Sequence, residues 1–553
     1  MLLRFLFFFG LYICMSQSEF NFSKNYFLGD EQNIFFEINN LGDPLLFLMP
    51  QFVSSENALF HNSQKVRKID FLNNTPVIRD TSNTSHLSYT NSYNEGGFLK
   101  SYLKRPIGET SIFQFIYNNL SSEGFYNNQL NKSSNLSLYF DFFSKKKPYN
   151  NSFYFNSINA NYQLNGGLKN YQPNISSDLI NTYLDFATVN IRKREFRLLQ
   201  SYLFQDDLLV QHKFYFSQFQ RDYTDTSPSS FYYTLSPLDP LILNYNLYTF
   251  CNTLDNEFSV FYKKLDFSIN HIYYNTNNLH DNSVNGDIFF SFGTDENIQT
   301  KLKFNISYSP LGYSKNNYSF NLDYKKSNTN LSQLFSINFL SKRPNFFNQH
   351  YNNSLIWDWN SFKDIKQLII RSFSFFNRYN LTVDLYFNRS VNYFYFNNLA
   401  HPVQSFDPIL YFKVKFMKTF SLRNLSFNSL LYLQYSDNDI LSVPLLLFNQ
   451  EIVYKKSFIN DISLSTKLKG VVFSKYYPNS FFPLTDVFYQ QRNVISNIMP
   501  FFSGSLYISK NNFSIGCVFD HLSSLLYNDS FYVPLYTLPQ PVLRLSVKWS
   551  FID

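Results

Sequence analysis

The sequence predicts an all-β protein, a transmembrane antiparallel β-barrel of about 16–18 strands behind a short N-terminal lead-in. Three observations predict it. The chain ends on a strand of strict alternation, its composition pairs abundant aromatics with Asn and Ser, and no helical period of 3.6 is sustained anywhere.

In the terminal stretch Leu543, Leu545, Val547, Trp549 and Phe551 alternate with Arg544, Ser546, Lys548 and Ser550. Period two describes a strand with one apolar and one polar face. Strands of soluble sheets usually stop at about 5–6 residues, whereas about 9–11 cross a bilayer on a tilt. Trp549 and Phe551 sit at the strand end, where an aromatic girdle meets the interface. Such a terminal strand is similar to the assembly signal of bacterial outer-membrane barrels, which makes the barrel-assembly machinery an expected partner.

Composition says the same. Phe 66 and Tyr 43 stand against Gly 15 among 553 residues, only 16% are charged, and mean hydropathy is −0.25. A barrel explains both halves of this mixture, with aromatics toward outer-membrane lipid and Asn, Ser and Lys toward a watery lumen. Net charge is +7, or +6 once Arg4 leaves with a leader. No RNA-binding signature accompanies it, and nucleic acid is not expected as a partner. Cys14, Cys251 and Cys517 form no CxxC and no metal spacing, leaving a single Cys251–Cys517 disulfide open.

In chain order, residues 1–18 read as a secretory signal peptide: Arg4, an apolar core from Phe5 to Met15, then Ser16-Gln17-Ser18. Residues 19–66 lack sustained alternation and read as a periplasmic or plug-like segment. The barrel is assigned to residues 67–553, faint near Thr75-Pro76 and persistent from about residue 109.

Its apolar positions include Leu136, Leu138, Phe140 and Phe142, then Ile158, Ala160, Tyr162 and Leu164, then Val210, His212, Phe214 and Phe216. Further on come Leu302, Phe304, Ile306 and Tyr308; Tyr318, Phe320, Leu322 and Tyr324; Leu381, Val383, Leu385 and Phe387; and Phe412, Val414 and Phe416. Short and long polar connectors are mixed, the longer ones including Gln220 to Pro240, Lys475 to Pro500 and His521 to Gln540. At roughly 25–28 residues per strand and connector the count comes to about 16–18, wide enough for an aqueous channel.

The run Ser122-Glu123-Gly124-Phe125-Tyr126-Asn127-Asn128-Gln129, then Ser144-Lys145-Lys146-Lys147-Pro148-Tyr149, then Asn165-Gly166-Gly167-Leu168, resembles the putative porin family of Bacteroidetes. Leu41-Gly42-Asp43, Thr75-Pro76 and the terminal strand fall in matching order. The resemblance implies an outer-membrane β-barrel acting as a porin. The chain departs from the family in being poor in Gly and rich in Asn and Phe.

No GxSxG, HExxH or spaced Ser/His/Asp set occurs among the eight histidines, so no enzyme and no cofactor are expected. Asp206-Asp207, and Asp437 with Asp439, bring together oxygens of the kind Ca²⁺ prefers, but they read as solvated loop residues. The charge pattern gives the pore-lining candidates. If the apolar partners face lipid, Lys301, Lys303, Lys413, Lys415, Arg544 and Lys548 line the lumen together with Asp141, Asp323 and Asp384. The expected function is passive diffusion of small hydrophilic solutes across the bacterial cell outer membrane. The alternatives are a hydrophobic-substrate channel with a hatch made by residues 19–66, and a surface-exposed adhesion barrel displaying the Gln220 to Pro240 loop. An energy-coupled receptor with a large plug is disfavoured by the shortness of the lead-in.

Overall fold

The computed structural model describes residues 35–37, 40–41, 43, 45–50, 52, 83–144, 148–170, 179–204, 208–227, 229–233, 245–276, 280–293, 299–344, 362–498, 500–526 and 531–551. The expected leader, and Asp206-Asp207, lie outside the described residues.

Two short strands, β1 (Phe35–Glu37) and β2 (Leu45–Phe47), pair with each other within the N-terminal segment. The wall begins with β3 (Thr84–Asn91), β4 (Gly96–Ile107), β5 (Ser111–Ser122), β6 (Asn131–Phe143) and β7 (Tyr149–Gln163). It continues through β8 (Thr188–Phe204), β9 (Leu208–Asp225), β10 (Tyr245–Tyr262), β11 (Leu265–Thr276) and β12 (His280–Gly293). Next come β13 (Gln299–Leu311), β14 (Tyr318–Ser327), β15 (Leu331–Lys342), β16 (Ile365–Phe376) and β17 (Leu381–Val391). A hairpin of β18 (Phe394–Phe396) and β19 (Pro402–Gln404) precedes β20 (Ile409–Leu422), β21 (Leu425–Ser436), β22 (Leu446–Ser457) and β23 (Ile462–Phe473). The hairpin β24 (Ser480–Phe482) and β25 (Val487–Tyr489) leads to β26 (Phe501–Lys510) and β27 (Phe513–Asp520). The pair β28 (Phe531–Val533) and β29 (Tyr536–Thr537) then leads to the last strand, β30 (Val542–Phe551).

Twenty-two of these strands close one antiparallel barrel. Closure is made by β30, which lies between β27 and β3, so no sheet edge is left. Across this seam His86 and Ser550 share a 2.7 Å hydrogen bond, and Thr90 and Ser546 one of 2.8 Å. The all-β barrel is as expected, but the count of 16–18 is too low; among the described residues the first wall strand is β3, from Thr84. The count fails because one end of the barrel turns in as little as two residues. Lys263-Lys264, Arg423-Asn424 and Asn511-Asn512 each reverse the chain, with φ of 54°, 50° and 51° at the first residue. Positive φ there matches the right-handed twist of a hairpin, yet a Lys-Lys turn carries no Gly or Asn-Gly signal. The long connectors, between β7 and β8, β9 and β10, β15 and β16, β23 and β26, and β27 and β30, leave and rejoin the wall at the other end. Gln220 itself lies inside β9, so that connector starts six residues later than the sequence suggested.

The pleat sorts the side chains. On β30 Leu543, Leu545, Val547 and Trp549 stand on the outer surface at 54%, 60%, 37% and 48% exposure, while Arg544 and Ser546 are buried on the inner side. Exposed Phe258, Phe290, Ile306, Phe320, Leu385 and Phe412 extend the same outer belt around the wall. The strands β7 to β10 differ, being 15, 17, 18 and 18 residues long against 10–14 for β11 to β17. Their apolar side switches along their length. Near the short turns Phe155, Phe196 and Phe258 point out, but toward the long loops Ile158, Ala160, Tyr162, Val189 and Ile191 are buried inside. Ile158, Ala160 and Tyr162 therefore face inward, not toward lipid. Outside, at the same level, stand exposed Arg192 and Arg194. This inversion is what a strand does when it leaves the bilayer: water takes the outer face and a protein core the inner one.

Candidate functional site: the lumen and its covered end

All nine pore-lining candidates lie on the inner face, and their neighbours divide them. Arg544 is 1% exposed; its guanidinium donates to Asp520 Oδ2 from Nε at 2.8 Å and approaches it from Nη2 at 2.6 Å. Asp384 takes a two-pronged ion pair from Arg371 at 2.8 and 2.9 Å. These groups brace the wall. Lys413 lies over the rings of Tyr386 and Tyr432 at 5.1 and 5.8 Å, with Lys415 5.8 Å from Tyr432 and opposite Asp384. Lys548 sits 3.6 Å over Tyr507. Lys303 is opposite Asp323 and 5.2 Å over Phe289, and Lys301 is opposite Lys325. Asp141 is buried two residues beyond Tyr139 on the same face of β6.

Sequence reasoning missed the partners that decide these roles. Asp520 shares the phase of Ser514 and Gly516 and was legible as an inner residue, but Arg371 shares the phase of Phe373 and Phe375, which also face inward, and neither pairing can be read without the register. It also missed a segregation of charge. Asp255, Glu257, Asp266 and Asp287 face inward on β10 to β12, three strands without a Lys or Arg. Half-way round the ring, Lys413, Lys415, Lys467 and Lys469 face inward on β20 and β23, with Glu451 between β21 and β23 paired to Lys467. Against the acidic sector the lumen forms a cavity of about 510 Å³ lined by Lys213, Glu257, Asn270, Asn285, Asp287 and Ser307, among others. Lys213 and Glu257 are themselves paired at 2.7 Å.

The long-loop end is covered. One buried cluster joins Leu184, Tyr232, Tyr313, Ala400, Phe482 and Leu484, from connectors that leave the wall at five different places. The connectors also bond to one another: Tyr232 donates to the Gly166 carbonyl at 2.5 Å, Leu168 N–H to Leu535 at 2.9 Å, and Gln490 N–H to Phe396 at 3.0 Å. Gly166 and Gly167, at φ of 67° and 90°, let this backbone pass, since a Cβ on Gly167 would lie 2.5 Å from Leu535.

The N-terminal segment adds to the cover from within. Asn40 donates to the carbonyls of Ser122 and Gln129 at 3.1 and 2.6 Å, and Asn131 to Asp43 at 2.6 Å. Across the ring, Gln434 donates to Leu48 at 3.1 Å, while Leu46, Leu48 and Met49 pack among Tyr432, Leu447, Val471 and Phe481. Phe52 enters a cage of Tyr386, Tyr393 and Tyr411 at 6.2, 6.0 and 5.3 Å. A segment bonded to β5–β6 and to β21 must lie inside the barrel.

The two cysteines of the barrel, Cys251 on β10 and Cys517 on β27, are free and far apart in the ring. Asp439 is paired with Arg492 at 2.9 Å, and Asp437 accepts the Leu410 N–H at 2.8 Å. Among the described residues no group of His, Cys, Asp and Glu is arranged to hold a metal ion.

The profile of the family described as putative porin matches residues 22–553. The chain belongs to the putative porin family. Among curated proteins, none matches the sequence. Solved structures share the fold of this chain at low identity. The siderophore receptor PirA from Acinetobacter baumannii is 10% identical, with a TM-score of 0.62 over 86% of this chain and 81% of that one. The FrpB iron transporter from Neisseria meningitidis gives 11%, 0.59, 86% and 82%. The ferric enterobactin receptor PfeA from Pseudomonas aeruginosa gives 10%, 0.59, 85% and 82%. Barrels of 22 strands, unlike those of 16–18, are wide enough to hold an internal plug, and this barrel has a segment of its own chain in that place.

Proposed function

We propose that the protein is a gated porin of the bacterial outer membrane, passing small hydrophilic solutes down their gradient through the polar lumen. The short turns then face the periplasm and the long loops the exterior. The observation that carries this reading is the sidedness of the wall: apolar outside, and inside a cavity lined by Lys, Glu, Asp, Asn and Ser. Neither a lipid path nor a catalytic site is supported by that lining. The packed loops and the N-terminal segment argue against a permanently open channel, so opening requires them to move.

The test is reconstitution into planar bilayers and liposomes. Wild-type protein should give small or rare openings, and a variant with residues 474–500 replaced by a short linker should give frequent, larger ones. If neither protein conducts ions or admits small sugars, the porin reading is wrong. A second reading, a receptor that captures a solute and releases it when the N-terminal segment is withdrawn, is favoured by the bonds of Asn40, Asn131 and Gln434 to that segment and to its seat. It requires that removing residues 19–52 alone opens the channel while replacing the loop does not.

A further inference from the structure

On the inner wall of β6 to β9 one lateral row sets four side chains next to each other. Tyr139 is opposite Tyr154, Tyr154 opposite Arg197, and Arg197 opposite Tyr215. The rings of Tyr139 and Tyr154 are 4.4 Å apart at 36°, and the Arg197 guanidinium lies 5.1 Å from both the Tyr154 and Tyr215 rings. Behind the row Glu195 is fixed from several sides. Tyr215 and Asn156 donate to it at 2.7 and 3.0 Å, and Lys193 and Arg197 pair with it at 3.3 and 3.5 Å. Despite two rings and a carboxylate around it, the Arg197 side chain remains 56% exposed to the lumen.

The direction of the row matters. Directly opposed residues lie perpendicular to the strands, and strands of a closed barrel tilt by about 35–45°. With about 4.8 Å between strands, three gaps make a row of about 14 Å. Such a row climbs the wall as part of a spiral, along the way a solute travels, instead of ringing the lumen at one depth.

We propose that this row is a carbohydrate-binding track, the place where a short, uncharged oligosaccharide rests during passage. A pyranose has apolar C–H faces and an equator of hydroxyls. The tyrosines offer it apolar ring surface beside polar tips, Arg197 and Lys193 offer donors, and Glu195 offers an acceptor. Two cations, Lys193 and Arg197, stand against two carboxylates, Glu195 and Asp141, so the patch does not select an ionic ligand. The four groups on Glu195 hold the polar side chains in place before a ligand arrives, which lowers the ordering cost of binding. This inference gives the solute class for the proposed porin and rests on that reading only in treating the lumen as the solute path.

The test uses the full-length protein, purified in a detergent without a sugar headgroup. Equilibrium dialysis against labelled maltohexaose, cellohexaose and xylohexaose reads binding without requiring conduction. At least one should bind saturably. Tyr154→Ala and Arg197→Ala should each weaken it roughly tenfold, about the worth of one aromatic contact, while Tyr154→Phe should keep it within about threefold. Each variant is first shown to be a folded barrel by its heat-dependent mobility on gels. Absence of binding to all three probes by the folded wild type overturns the track, as does an alanine variant that binds as the wild type does. A barrel that conducts but does not bind rejects the track alone; one that binds but never conducts rejects the porin reading alone.

Discussion

At the scale of single residues, the chemistry is concentrated where the last wall strands meet the first. His521 follows β27 with a left-handed backbone, φ 56°, and is buried. Its Nε2 shares a 3.0 Å hydrogen bond with the Tyr93 hydroxyl, and Phe125 packs edge-on against it. Burial pulls its pKa down to about 4, with Asp520 acting against that fall and Arg544 with it. The unfolded chain, with a pKa near 6.5 at this site, then binds more protons than the folded one between these values. Stability contributed by neutral His521 is complete above about pH 6.5 and is lost as pH falls toward 4, on the order of 3 kcal/mol in all. Protease resistance of residues 521–541 should drop over that interval, and a His521→Gln variant should lack the step. The neighbouring ion pair makes a second prediction. Arg544→Met leaves the Asp520 carboxylate buried without its cation, with the Tyr93 hydroxyl at 3.4 Å still donating to it, which should cost about 3–5 kcal/mol in denaturant unfolding, and adding Asp520→Leu should restore much of it. Arg544 was legible in the sequence as an inner-face cation. Its occupation by Asp520, on the far side of a long connector, was not.

At the scale of elements, strands were legible wherever one face met lipid, because there the apolar residues repeat every second position on a single side. Leu543, Leu545, Val547 and Trp549 lie on the outer surface, and Val547 is flanked by Tyr89 and Ile515 in the registers of its neighbours. Val547→Arg should cost about 2–4 kcal/mol if the residue lies at mid-bilayer, read as a fall in the denaturant midpoint of barrels folded into vesicles. Deleting residues 543–553 exposes the facing edges of β3 and β27 and should leave no heat-modifiable barrel. Normal barrels from that truncation would mean the ring can close without β30. What stayed illegible follows from the same logic. In β7 and β8 the period of two persists while its apolar phase passes from outside to inside, and periodicity alone carries no sign. Strand number was lost in turns such as Arg423-Asn424, whose residues also suit a strand end.

At the scale of the whole molecule, the lumen combines a cover at one end with a wall of mixed charge. Six of the candidate residues are cations and three are anions, yet Arg544 and Asp384 are engaged by Asp520 and Arg371. Once the cover is opened, reversal potentials under a KCl gradient should therefore show only a weak anion preference. That preference should fade as ionic strength shortens the screening length from about 10 Å at 0.1 M to about 3 Å at 1 M. A cation preference persisting at low salt would assign control to the loops. The placement of the charges has a different effect from their sum. With the carboxylates of β10 to β12 on one side and the lysines of β20 and β23 across from them, the two walls act like the plates of a capacitor. The field between them is transverse, so it neither drives nor retards an ion along the axis, but it turns any molecule that has a dipole. A zwitterion would travel broadside, its ammonium toward Asp255 and Asp287 and its carboxylate toward Lys413 and Lys469. Two isomers of equal size and no net charge would then pass at different rates according to how far apart they hold their charges.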